Sequence, residues 1–190
     1  MTTTVEVTGR TSALALLAAG RGKRGGGLPD VVLVRRDVRT DRERLAAYQQ
    51  LVGEPVADAV PAGWLHTLVF PLHTALLARP DFPLPALGMV HLANRVELRR
   101  AVDAGEVLEA RLRAERLAPH RRGATVDLVG ELTAGDEVVW RGVSTYLAKG
   151  VRLPDGGADR AEESPRPEFV APRPTGLWRL DADLGRRYAA

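Results

Sequence analysis

At 190 residues the chain is long enough for one well-packed domain with extensions and too short for two full ones. Its 45% hydrophobic content suffices for a sizeable core, and the absence of cysteine excludes a disulfide framework, a thiolate metal site and a cysteine nucleophile. The formal charge of +3 rests almost wholly on arginine, with Lys23 and Lys149 the only lysines, and the basic residues are interleaved with acids rather than gathered into a stripe, which argues against a nucleic-acid partner.

Thr3 to Thr8 alternates and reads as a short strand. Residues 11–19 read as a short apolar helix capped by Thr11 or Ser12. Residues 13–19 could imitate the core of a signal peptide, but Glu6 precedes them and Arg21-Gly22-Lys23-Arg24 follows directly, so the chain reads as cytoplasmic. The basic, glycine-rich stretch 21–27 lacks the strand–loop–helix frame of a phosphate-binding loop and is expected to be a solvated loop.

Residues 31–38 are β-branched and extended. Thr40-Asp41-Arg42-Glu43 has capping-box spacing, Leu45, Tyr48, Leu51 and Val52 share one helical face, and Gly53 can close that helix. Pro61-Ala62-Gly63 reads as a turn and residues 64–70 as extended. Pro71 suits the first turn of a helix, so a buried helix is expected from Pro71 to about Ala78 or Arg79. The longest apolar run, 64–78, is shorter than a bilayer requires and contains His66, Pro71 and His73, so no membrane span is expected.

Phe82-Pro83-Leu84-Pro85 is a rigid connector. Four strand-like runs follow, at 87–98, 107–117, 124–133 and 137–148. Alternation is clearest where Leu108, Ala110, Leu112 and Ala114 oppose Glu109, Arg111, Arg113 and Glu115. Turn signals separate the runs at Asp103-Ala104-Gly105, Pro119 to Gly123 and Ala134-Gly135-Asp136. Such spacing predicts an antiparallel sheet of consecutive strands, preceded by one largely apolar helix. That is an α+β fold of hot-dog type, a sheet wrapped around a central helix.

From 151 to about 176 the composition shifts to proline, glycine and acids, the mark of a linker. Leu177, Trp178, Leu180, Leu184 and Tyr188 then resume a hydrophobic pattern that needs a core to join. The expected division is an N-terminal extension (1–30), a hot-dog domain (31–150), a linker (151–176) and the start of a second domain (177–190) whose remainder is missing.

Several of these segments together carry a resemblance. They are the run from Pro61 to Pro71, Phe82 to Leu92 with its Phe-Pro and Val-His pairs, Pro119-His120-Arg121-Arg122-Gly123, Val139-Trp140 and Ser144-Thr145-Tyr146-Leu147. The chain resembles the N-terminal half of MaoC-like acyl dehydratases of the double hot-dog type, related to R-specific enoyl-CoA hydratases. The resemblance implies two hot-dog repeats with joined sheets. The C-terminal repeat carries a motif near Tyr-Ala-x-x-Ser-Gly-Asp-x-Asn-Pro-Ile-His, whose Asp and His activate water. The N-terminal repeat shapes the acyl cavity. Residues 183–190 look like the lead-in to that motif, but neither Ser-Gly-Asp nor Asn-Pro-Ile-His occurs in the chain.

The resemblance therefore implies an acyl-binding and scaffolding half, without catalytic residues of its own. It would take an acyl-CoA or acyl-carrier-protein thioester, use no cofactor, and be completed by a catalytic hot-dog or by self-association. Two alternatives are a non-catalytic acyl-thioester-binding homodimer and a hot-dog thioesterase. The latter is disfavoured because residues 71–79 hold no acid. Trp64, Leu68, Phe70, Leu72 and Leu76 are the candidate tunnel residues, with most of the surrounding apolar stripe expected in the core. His66 and His73 lack a carboxylate at hydratase spacing and are expected to be packing residues, His91 structural or interfacial, and His120 a turn residue. The histidine spacing does not suit a metal site. His66 and His73 could share a helical face only if the helix ran unbroken through Pro71, which is not expected.

Overall fold

The structure is a computed structural model, described over residues 2–9, 26–153, 170–177 and 179–189. The predicted helix at 11–19, most of the 21–27 loop, much of the linker and Trp178 lie outside the described residues.

Six strands form one sheet: β1 (Thr3–Glu6), β2 (Val31–Val38), β3 (Val90–Leu98), β4 (Leu108–His120), β5 (Gly123–Ala134) and β6 (Glu137–Lys149). The helices are α1 (Arg42–Val52), α2 (Ala62–Leu77) and a short α3 (Leu184–Ala189). Strand order is β1-β2-β4-β5-β6-β3. β4–β5 and β5–β6 are the hairpins that the alternation and turns predict. β3 departs from the expected consecutive order: it crosses the molecule and pairs antiparallel with β6. α2 and the connector after it separate β3 from β2, so β3 closes the far side of the sheet and leaves room for the helix between them. The N-terminal strand, shorter than expected, adds in parallel to β2 through Thr3↔Val31 and Val5↔Leu33.

α1 starts one residue later than the capping-box reading suggests. Asp41, not Thr40, is the cap, accepting from the backbone N–H of Glu43 (3.0 Å) and Arg44 (3.2 Å). Gly53 ends it in the left-handed region at φ 78°. Gln49 is buried on α1 and ties down the following loop. Its Nε2 donates to the carbonyls of Ala57 (3.0 Å) and Ala59 (3.1 Å), and its Oε1 accepts from the N–H of Ala57 (3.2 Å). Gln49→Leu removes all three of these hydrogen bonds and frees the loop, so a loss of about 1–3 kcal/mol is expected in urea unfolding.

The largest correction concerns α2. Residues 64–70 are helical rather than extended, and the helix begins at Ala62 with Pro71 inside it. An interior proline costs about 3 kcal/mol. Burial outweighs this: Leu65, Val69, Leu72 and Leu76 are fully enclosed and Trp64 nearly so, each such side chain contributing about 1.5–3 kcal/mol. Hydroxyls bond to carbonyls one turn back on either side of the proline, Thr67 to Trp64 (2.7 Å) and Thr74 to Pro71 (2.8 Å). α2 lies across the concave face of the sheet, touching β2, β4, β5 and β6. Gly130 permits the approach, since a Cβ there would sit 2.8 Å from Val69 Cγ1.

Candidate functional site

Because α2 runs through Pro71, His66 and His73 stand two turns apart on one face, contrary to the sequence expectation. Their rings meet edge-on, with centroids 5.4 Å apart. Phe70 lies against both, 6.3 Å from His66 and stacked at 5.8 Å on His73. On the sheet side, Tyr146 Oη lies 3.4 Å from His73 Nδ1. His91 of β3 stacks on the Tyr146 ring at 4.7 Å and 14°, and the Trp140 ring lies 6.1 Å from His66. Next along the same face, Ser144 Oγ donates to Asn94 Oδ1 at 3.2 Å.

A register shift brings His91 into this group. Leu92 is an extra residue between the His91↔Tyr146 and Ala93↔Thr145 pairs. Without that bulge Leu92 would face Tyr146 and His91 would point away. With it, Leu92 is left exposed and the imidazole joins the concave face.

The surroundings set the charge states. His73 is 2% exposed, and burial, reinforced by His66 and His91, lowers its pKa to about 3. It is therefore neutral near pH 7, and its Nδ1 shares a hydrogen bond with the Tyr146 hydroxyl whose direction follows the imidazole tautomer. Burial also lowers His66, with His91 adding to the effect, and raises the Tyr146 phenol against the opposing bond from Ser144. His66 Nδ1 is buried without a hydrogen-bond partner among the described residues.

The tunnel candidates divide. Trp64, Leu72 and Leu76 are packed in the core, Trp64 edge-on to Tyr48 at 5.5 Å. Leu68 is half-buried and Phe70 is 47% exposed beside the imidazoles. Asp58 and Asp81, the carboxylates nearest His66 and His73 in sequence, pair with Arg42 and Arg79. His120 Nδ1 accepts from the Arg122 N–H at 3.2 Å, the turn role expected of it. Tyr146, Asn94 and Ser144 join the site without having been candidates for it. Their only signal was the Ser-Thr-Tyr-Leu and Val-His pattern. Among the described residues no group of three His, Asp or Glu side chains is arranged to hold a metal ion, and no helix is long and apolar enough to cross a membrane.

The opposite face of the sheet is charged. A concavity of about 290 Å³ there is lined by Arg95, Arg116, Arg141 and Thr145 among others. These guanidiniums are matched by Glu97, Asp127 and Glu131, and the buried Asp127 also accepts from Thr145 Oγ1 at 2.6 Å. The balance of charge makes this face a poor anion site.

No protein-family model matches the chain. The chain is 31% identical over 163 residues to 3-hydroxyacyl-thioester dehydratase X of Mycobacterium tuberculosis; the match covers 86% of this chain and 57% of that protein. A crystal structure of that dehydratase, HtdX, superposes with a TM-score of 0.67 at 30% identity, over 82% of this chain and 61% of the other. The C-terminally truncated HadBC complex of the same organism, a 3R-hydroxyacyl-ACP dehydratase, shares the fold with a TM-score of 0.51 at 17% identity, over 57% of this chain and 88% of that one. The chain thus spans little more than half the length of the curated relative it matches. Sequence and fold agree that it belongs to the MaoC-like, hot-dog acyl dehydratase family.

Proposed function

We propose that this hot-dog unit is the acyl-binding and scaffolding part of a 3-hydroxyacyl-thioester dehydratase acting in the cytoplasm. The reaction is the reversible hydration of a trans-2-enoyl thioester. The Asp/His pair that activates water comes from a second hot-dog unit, in the same polypeptide or in a separate one. The observation that carries this reading is the setting of His66 and His73. Among the described residues the groups recorded against His73 are His66, Phe70, His91 and Tyr146, none a carboxylate, and an imidazole whose pKa burial holds far below 7 is a poor general base. The dehydratase relative supports the reaction class.

The chemistry assigned to this chain is binding. Phe70 and Leu68 offer apolar surface on α2 to an acyl chain, while β3, at the sheet edge among the described residues, offers its outer backbone groups to a neighbouring sheet. The same edge supports a second reading, a homodimer that binds acyl thioesters without consuming them. A thioesterase is less favoured, since α2 from Ala62 to Leu77 contains no acid.

Purified chain is expected to bind acyl-CoA while leaving crotonyl-CoA unhydrated, as followed by the enoyl absorbance. Activity should appear on mixing with a hot-dog protein carrying Ser-Gly-Asp-x-Asn-Pro-x-His. Turnover by the chain alone would overturn the assignment of the catalytic pair to another unit. A stable dimer that binds acyl-CoA and stays inert with every such protein would favour the second reading.

A further inference from the structure

The acyl-binding reading leaves one feature without a purpose. A surface built for a plain hydrocarbon would be apolar, yet here His66, His73, His91, Asn94, Ser144 and Tyr146 gather on one face, between α2 and the edge of the sheet. The fold spends a β-bulge at Leu92 to bring His91 there. Most of these groups satisfy one another: Tyr146 with His73, and Ser144 with Asn94. His91 is exposed and stacks on Tyr146, whereas His66 Nδ1 is buried and unpartnered among the described residues, with the half-exposed Phe70 as an apolar wall beside it. Leaving a buried ring nitrogen unpaired is costly, so this atom, set beside an exposed apolar ring, is the natural place for a partner from outside the described residues.

We propose that this bed is a recognition site for a polar substituent on the acyl chain, a hydroxyl beyond the reacting C2–C3 positions, with His66 Nδ1 as its hydrogen-bonding partner. A neutral imidazole suits a hydroxyl because the nitrogen can donate or accept according to tautomer, and a hydroxyl can do the converse. Phe70 covers the adjoining methylenes. The proposal rests on the acyl-binding reading and narrows it: the substrate class is a chain-oxygenated acyl thioester rather than a simple fatty acyl one.

The test compares decanoyl-CoA with a series of decanoyl-CoAs hydroxylated singly from C5 to C10, titrated into the whole chain by calorimetry. At least one hydroxylated member should bind about fivefold to tenfold more tightly than decanoyl-CoA, the worth of one hydrogen bond. His66→Phe should bring that ratio to about one, while Arg95→Gln on the opposite face should leave it unchanged. Should His66→Phe fail to fold, ¹⁵N resonances of the wild-type imidazoles serve instead, with the His66 Nδ1 signal moving on addition of the preferred hydroxyacyl-CoA and staying in place with decanoyl-CoA. Equal affinities throughout the series, or a preference that survives in His66→Phe, overturn the polar-site proposal and leave acyl binding standing. Binding of no thioester at all overturns the acyl-binding reading, and this proposal with it.

Discussion

Trp140→Ala should lower stability by about 3–5 kcal/mol, the range for removing a fully buried large aromatic side chain. Trp140 is completely enclosed on β6. Its indole N–H donates to the carbonyl of Ala62 at 3.2 Å and so fastens the first turn of α2 to the sheet. The ring lies across Gly142, where a Cβ would stand only 2.3 Å from it. The alanine variant therefore loses buried area, a hydrogen bond and the seat of the helix start together. With a slope near 2 kcal/mol per molar urea, the unfolding midpoint should fall by about 1.5–2.5 M. Gly142→Ala attacks the same contact from the other side by overpacking, with an expected cost of about 1–3 kcal/mol. The two should not add: in a Trp140→Ala background the new methyl meets no ring, and its cost should shrink to a few tenths of a kcal/mol. Full additivity would mean that the indole does not rest on Gly142.

The contrast between Trp140 and Pro71 shows what the sequence makes legible. β4, β5 and β6 follow from alternation and turn residues because each is a local pattern read against one buried face. α2 escapes that logic. As the central helix it is enclosed on most sides, so Trp64, Leu65, Leu68, Val69 and Leu72 show no polar face to mark a period of 3.6. Pro71 then supplies a false start. Its penalty is local and visible, whereas the burial that outweighs it is tertiary. The imidazole site was hidden by the same error, since His66 and His73 reveal their seven-residue spacing as two helical turns only once the helix is continuous. His91 and Tyr146 were further out of reach. Their stacking requires β3 to cross to β6 and a bulge at Leu92 to invert its facing, and neither is encoded by residues near in sequence.

Acidification should destabilise this protein well before its carboxylates titrate. His73 is buried and neutral, with a folded pKa lowered from 6.5 to about 3. In the unfolded chain it protonates near 6.5, so between these values the unfolded state holds the extra proton and stability falls as pH falls. One such group costs about 1.4 kcal/mol for each unit below roughly 6.5, on the order of 4–5 kcal/mol by pH 3. That is comparable with the whole stability of many domains. His66, also lowered by burial, acts in the same direction. Glu106 works with the same sign but lower down: held below the usual carboxylate range by Arg100, it loses its stabilising effect only as pH drops beneath about 5. The interval from pH 6.5 to 5 thus isolates the imidazoles. Urea unfolding across it should show a stability slope in the wild type that is clearly reduced in His73→Gln, whose amide can still hydrogen-bond Tyr146, with the remaining slope due to His66. A slope that persists unchanged in that variant would mean His73 takes up its proton in the folded state, and that its imidazole is open to water rather than sealed between α2 and the sheet.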